Sequence, residues 1–232
     1  MLPVRSLFLH SDQRPRAVTA APRFRLAIIG AGEAAGTLHL PAALASELVE
    51  LVALIDPVVE RAEALAARYG VRPQIGRSID DIRNPVDGAI IATPNNTHRD
   101  VALACAARRI SCLVEKPLAT TPTDAEEICR AAVAHGVVLA VGYAMRFCNQ
   151  VTLLKRLLEN RYFGDISRFH FQHGSLGGWS PVSGYNLDRK ASGGGVLVLV
   201  RISSTSCSIG SVMQMNARCS MTRLAAPRRT VW

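Results

Sequence analysis

The 232-residue sequence predicts an α/β fold: a doubly wound parallel sheet over residues 23–145, followed by an incomplete α+β second domain. Three observations predict it. From Phe24 to Val141, short runs of Val, Ile, Leu and Ala alternate with longer amphipathic segments, the pattern of βαβ units on a parallel sheet. A glycine-rich turn, Gly30 to Gly36, separates the first apolar run from the first helical segment. After Gly142 the alternation stops and a different pattern begins.

The elements follow in order. A strand is expected over 25–29, ending at Gly30, and a helix over 34–46. A second strand over 51–55 is closed by Asp56-Pro57, and a helix over 58–69 is stopped by Gly70. A short third strand is expected over 73–75 and a buried fourth over 88–92. A helix over 97–109, a strand over 110–114, a helix over 122–135 stopped by Gly136 and a strand over 137–141 complete the sheet. Beyond it, 150–160 reads as an amphipathic helix with Leu153, Leu154, Leu157 and Leu158 on one face. Residues 166–173 alternate as a strand, and the Gly/Ser-rich 174–195 reads as loop. The expected boundaries are a disordered tail over 1–22, a dinucleotide domain over 23–145, the start of a substrate domain over 146–198 and an irregular basic tail over 199–232.

The net charge is +9, and its placement argues against a nucleic-acid partner. Arg5, Arg14, Arg16, Arg23 and Arg25 against Asp12 give the first 25 residues +4. Arg201, Arg218, Arg223, Arg228 and Arg229, with no acid, give residues 199–232 +5, so residues 26–198 sum to zero. A folded nucleic-acid binder concentrates its charge on one face or helix. No stretch is long and apolar enough to span a bilayer, so no membrane partner is expected. Met1 to Pro22 lacks the continuous apolar run of a secretory signal. The six cysteines (105, 112, 129, 148, 207, 219) show neither C-x-x-C nor metal-ligand spacing. No metal site is expected, and they read as small apolar residues in a reducing, cytoplasmic setting.

The chemistry lies in the turns that follow the strands. Gly30-Ala31-Gly32-Glu33-Ala34-Ala35-Gly36 directly follows a strand and opens a helix, the context that gives a glycine fingerprint meaning. Gly30 permits the tight turn. Gly32 lets backbone N–H groups approach a pyrophosphate at the helix N-terminus. Ala35 is the third small residue, letting helix and strand pack closely. Asp56 ends the second strand 24 residues after Gly32, near the offset of about 20 of a Rossmann dinucleotide site. A carboxylate there accepts the adenosine ribose hydroxyls and repels a 2′-phosphate, so NAD is expected and NADP disfavoured. The other reading of Asp56-Pro57 is a cap for the helix that follows.

Two further motifs carry a resemblance. Ala92-Thr93-Pro94-Asn95-Asn96-Thr97-His98 follows the fourth strand, and Glu115-Lys116-Pro117 follows the fifth. With the glycine-rich turn they resemble the Gfo/Idh/MocA oxidoreductases, as do Gly142-Tyr143-Ala144-Met145-Arg146-Phe147 and Ser192-Gly193-Gly194-Gly195-Val196-Leu197. The resemblance covers about residues 23–197. It implies a cofactor set of Thr93, Pro94, Asn95, His98, Glu115, Lys116, Pro117 and Arg146, beside Gly30, Gly32, Ala35 and Asp56. Glu115 would hold the nicotinamide-side ribose. Lys116 would be catalytic, hydrogen-bonding the reacting hydroxyl or carbonyl and moving its proton while hydride passes to or from the nicotinamide. The implied substrate is a small sugar or polyol, and full-length relatives are expected to be homo-oligomers. His39, inside the first helix, reads as structural; Tyr143 and Tyr185 are candidate auxiliary acids.

The sequence departs from the family after Leu197. There the family runs into Asp-x-Gly-x-His-x-x-Asp, whose Asp and His complete the catalytic group. This chain has no Asp after Asp188 and no His after His173. Back-translation of Val200 to Gly210 permits a neighbouring frame that reads Gly, a small residue, then His-Ile-Ile-Asp-Leu-Val-Leu-Asp-Trp. A slip of the reading frame near Val198 is therefore expected, with the Arg-, Ser- and Cys-rich tail out of frame. The expected function is an NAD(P)-dependent oxidoreductase of sugar or polyol dehydrogenase type acting on CH–OH groups, impaired in this chain. The alternative is a dinucleotide-binding protein without catalysis.

Overall fold

The computed structural model describes residues 22–165 and 188–192. Among these, residues 22–142 with 188–192 form one compact unit, and residues 143–165 belong to a second.

The first unit is built on strands β1 (Phe24–Ile29), β2 (Val49–Ile55), β3 (Gln74–Gly76), β4 (Gly88–Ile91), β5 (Ser111–Val114) and β6 (Leu139–Val141). All are parallel, in the order β3-β2-β1-β4-β5-β6. The chain moves outward from β1 to β3, then crosses to the other side of β1 to continue with β4. In such sheets a crevice opens outside the carboxyl ends of the strands where the order reverses. Register sharpens this. Ile29 pairs with both Ile55 and Ile91, Ile91 pairs with Val114, and Val114 pairs with Val141. The residues that follow, Gly30, Asp56, Ala92, Glu115 and Gly142, therefore stand in one row along the carboxyl edge.

The central strands are buried on both faces, which explains their continuous apolar runs. Ala27, Ile29, Ala53, Ile55, Ile91 and Val114 face one core, shared with α3 (His98–Ala107) and α4 (Pro122–His135). Leu26, Ile28 and Leu54 face the other, shared with Ala35, Leu40 and α2 (Val59–Tyr69). α4 starts as its sequence dictates: the Thr121 hydroxyl accepts the Asp124 N–H at 3.1 Å, and Pro122 occupies a first-turn position where no N–H is missed.

The helix expected over 34–46 differs. Residues Ala35–His39 form a π-helical turn that runs into the short α1 (Leu40–Leu44). Pro41 gives the reason. It brings no N–H, so a regular α-helical ladder is interrupted there. The Leu40 N–H reaches back five residues to the Ala35 carbonyl. The Gly36 carbonyl, for which Pro41 can offer no such bond, accepts the Tyr69 hydroxyl instead.

Other departures are smaller. β2 starts at Val49 and β6 at Leu139. Residues Asn95–Thr97 form a separate 3-10 turn ahead of α3. In the second unit, α5 (Asn149–Glu159) buries none of its residues. The strand expected over 166–173 and the tail over 199–232 lie outside the described residues. Of the loop expected over 174–195, only 188–192 is described; it contains a single helical turn, α6 (Arg189–Ser192). No helix among the described residues is long and apolar enough to cross a membrane.

Candidate cofactor site

The turn after β1 is shaped by backbone. Gly30 has φ +97°, and its N–H donates to the Ile55 carbonyl at 2.7 Å. A Cβ at Gly30 would lie 2.5 Å from the Ala92 carbonyl oxygen, so only glycine fits. The Ala31 N–H donates to Asp56 Oδ2 at 2.9 Å, tying the turn to the end of β2. A Cβ at Gly32 would meet no protein atom within 4 Å. The space before Gly32 is thus open, and first-turn N–H groups have no partner within their own helix. That is the arrangement an anion requires.

Asp56 serves more than one purpose. Its Oδ1 accepts the Val58 N–H at 2.9 Å, closing a turn ahead of α2 without capping the helix itself, while Oδ2 holds Ala31. The carboxylate also lines the cleft described below. Each oxygen retains a further acceptor site, so these two bonds and ribose binding are compatible.

The opposite wall follows β4 and β5. The Thr97 hydroxyl lies 2.8 Å from Thr93 Oγ1 and 2.7 Å from the Pro94 carbonyl, closing the turn on itself. Asn95 is buried, and its Nδ2 donates to the Ser192 carbonyl at 2.9 Å, fastening α6 to this turn. His98 is fully buried, with Nδ1 2.9 Å from the Pro117 carbonyl and Nε2 3.0 Å from the Thr93 carbonyl. A neutral ring carries one N–H and donates to one of these at a time. Burial pushes the His98 pKa below its ordinary value, against the opposing pull of both carbonyls. Glu115 is largely buried. Burial raises its pKa, but the hydrogen bond and charge of His39 and the Lys116 N–H outweigh it and hold the carboxyl below the usual range.

These walls enclose a cleft of about 600 Å³. Of the twelve residues expected at the cofactor site, eight line it: Gly30, Gly32, Asp56, Thr93, Pro94, Asn95, Glu115 and Lys116. Four do not. Ala35 is buried in the core beneath the π turn, as its packing role requires. The expectation that His98 lines the cofactor is corrected: it sits behind the wall and joins the Thr93 and Pro117 loops. Pro117 is likewise buried off the cleft, after a cis Lys116–Pro117 peptide. Arg146 lies in the second unit, exposed on the 3-10 turn Ala144–Phe147. Tyr143 is half-buried at the start of that unit, and Tyr185 lies outside the described residues.

One residue read as structural does not line the cleft but touches a residue that does. His39 Nε2 lies 2.9 Å from Glu115 Oε1. The available signal was Pro41, which marks a break in the helix that carries His39. Sequence reasoning also missed Arg61, Arg77, Ile79, Val101 and Ala104, which line the same cleft.

The family model described as an oxidoreductase family with an NAD-binding Rossmann fold matches residues 24–143. The chain belongs to the Gfo/Idh/MocA oxidoreductase family. The chain is 36% identical over 146 residues to the rhizopine catabolism protein MocA of Rhizobium meliloti, covering 62% of this chain and 45% of that protein. It is 32% identical over 156 residues to an inositol 2-dehydrogenase of Mycolicibacterium gilvum, covering 66% of this chain and 44% of the relative. Among solved structures, the WlbA dehydrogenase of Bordetella pertussis, in complex with NADH and UDP-GlcNAcA, matches with TM-score 0.57 and 28% identity. That match covers 62% of this chain and 41% of the WlbA chain. The Gfo/Idh/MocA chain described here thus spans under half the length of these relatives. Its matched part is an NAD-binding Rossmann domain whose glycine turn, Asp56 and Glu115-Lys116 share one cleft.

Proposed function

We propose that this chain carries the dinucleotide-binding part of an oxidoreductase that moves a hydride between a nicotinamide and a CH–OH or carbonyl carbon of a sugar or polyol. The observation that carries the reading is the shared cleft: Lys116 lines the same cavity as Gly32 and Asp56, at the carboxyl edge of the sheet. The relatives are named as inositol and sugar-nucleotide enzymes, which supports the substrate class. NAD, when bound, supplies the hydride acceptor. Asp56 accepts ribose hydroxyls and disfavours a 2′-phosphate. Glu115 holds the second ribose, and Thr93, Pro94 and Asn95 form the wall beside it. As the alcohol carbon gives up its hydride, Lys116 takes the hydroxyl proton; in the reverse direction it returns it.

On this reading the dinucleotide part ends near residue 145, apart from the turn over 188–192 that packs with it, the substrate domain begins at 146, and 199–232 is out of frame. The proposed reading includes impairment, because residues 198–232 hold neither His nor Asp. Losing members of a cooperating catalytic group costs orders of magnitude in rate. The same absence favours a second reading, dinucleotide binding without turnover. The test uses the full chain with NAD and myo-inositol or glucose. Binding of NAD without appreciable oxidation is expected. Restoring the frame near Val198 should recover activity, and Lys116→Ala in that background should remove it. Robust oxidation by the 232-residue chain would overturn the impairment, and failure to bind NAD would overturn both readings.

A further inference from the structure

We propose that His39 is a positioning residue that fixes the turn carrying Lys116. The inference rests on the cleft being a dinucleotide site. His39 and Glu115 are 76 residues apart in sequence, yet His39 Nε2 and Glu115 Oε1 approach to 2.9 Å. The two side chains are only 14% and 16% exposed, so the pair is screened from water. The second carboxylate oxygen, Oε2, accepts the backbone N–H of Lys116 at 3.1 Å. One carboxylate thereby links the helix that leaves the glycine turn to the main chain of Lys116, and both Glu115 and Lys116 line the cleft.

The local architecture places the imidazole there. His39 is the last residue of the π-helical turn Ala35–His39, and π turns are uncommon and concentrate at functional sites. Pro41 interrupts the α-helical ladder, and the Tyr69 hydroxyl satisfies the Gly36 carbonyl that the interruption leaves over. Without the imidazole, Glu115 loses its only side-chain partner among the described residues. Its charge then lacks the opposing imidazole and is left with Lys116 and the buried His98. A half-buried carboxylate without such a donor turns toward water, and the Lys116 N–H loses its acceptor. His39 does not line the cleft, so it acts through Glu115 and not on the substrate.

The test uses the full chain and two measurements. The first is amide hydrogen exchange at the Lys116 N–H without ligand; the second is calorimetric titration with NAD. His39→Ala should speed Lys116 exchange and weaken NAD binding, each by about tenfold, the loss expected for one hydrogen bond to a charged group. His39→Gln keeps an N–H donor at similar reach and should restore both to within about threefold. His39→Asn, whose shorter side chain falls short of Glu115, should behave as His39→Ala and replaces it if that variant does not fold. Unchanged Lys116 exchange in His39→Ala or His39→Asn overturns the proposal. So does a His39→Gln variant as impaired as either. A wild-type chain that does not bind NAD removes the dinucleotide reading, while the exchange measurement still decides the role of His39.

Discussion

The two turns that bound the cleft are built in opposite ways. The turn after β1 is held by main chain and by the residue that ends the neighbouring strand: Gly30 donates to Ile55, and Ala31 donates to Asp56. The turn after β5 is held by side chains from elsewhere: His39 reaches Glu115, and His98 stands against the Pro117 carbonyl. The first needs one residue type at one position. The second needs two imidazoles delivered by two helical elements. A turn fixed by glycine has no substitute, whereas one fixed by borrowed side chains can be loosened by degrees.

Substitutions at three positions break or sharpen this contrast. The largest effect belongs to Gly30→Ala. Its Cβ would sit 2.5 Å from a backbone oxygen at a φ that L-residues rarely adopt, so a loss of about 3 kcal/mol or more is expected, read as the shift of the urea midpoint. An unmoved midpoint would mean the turn is not set by glycine.

Next comes His98→Ala, expected to cost about 2–4 kcal/mol, because it leaves a cavity and removes the buried N–H that one of two carbonyls accepts. The wild-type protein should also show a pH signature. The His98 pKa is lowered in the folded state, so below about pH 6.5 the unfolded chain takes up a proton that the folded one refuses. Stability is therefore undiminished by this group above that pH and falls as pH drops toward the folded value. His98→Gln should flatten that limb in denaturation curves taken between pH 7 and 5. A limb of unchanged slope would show that His98 is not the group responsible.

The smallest expected loss is in Asp56→Asn, which keeps one acceptor for two N–H donors and should cost about 1–2 kcal/mol of stability. Its larger consequence is for selectivity. Calorimetry with both dinucleotides should show the wild type preferring NAD and the variant losing most of that preference. Wild-type binding of NADP as tight as NAD would refute the role given to Asp56.

The same contrast explains what was legible in the sequence. The glycine turn, Asp56 and the ordering of strands and helices are local patterns, and a single strand–turn–helix segment carries them. The partners of Glu115, His98 and Asn95 are not local. Glu115 meets His39 across 76 residues, and Asn95 meets Ser192 across 97. Nothing in the helical spacing of His39 points to a carboxylate after the fifth strand. The π turn was hidden because periodicity assigns a helix its average pitch and does not register one wide turn. His98 misled for a related reason: it sits in a cofactor-side motif, but its ring points into the wall, where it joins two loops.

The sheet holds one more consequence, in the pairing of β1 with β2. Leu26 stands opposite Leu51, but Ala27 stands opposite Ala53, so Val52 has no counterpart in β1. On either side of it the faces of β2 change parity. Val49 and Leu51 pack toward the α2 core, as does Leu54, while Ala53 and Ile55 pack toward the other. With Val52 removed from the count, the remaining residues alternate between cores without interruption. Val52 is therefore a bulge residue: it takes up the extra position, so that both halves of β2 keep their partners in β1 and Asp56 still follows the Ile55–Ile29 pair into the row occupied by Gly30 and Glu115. A chain lacking Val52 should lose the bulge, keep every pair that β1 makes with β2 and hold Asp56 in place.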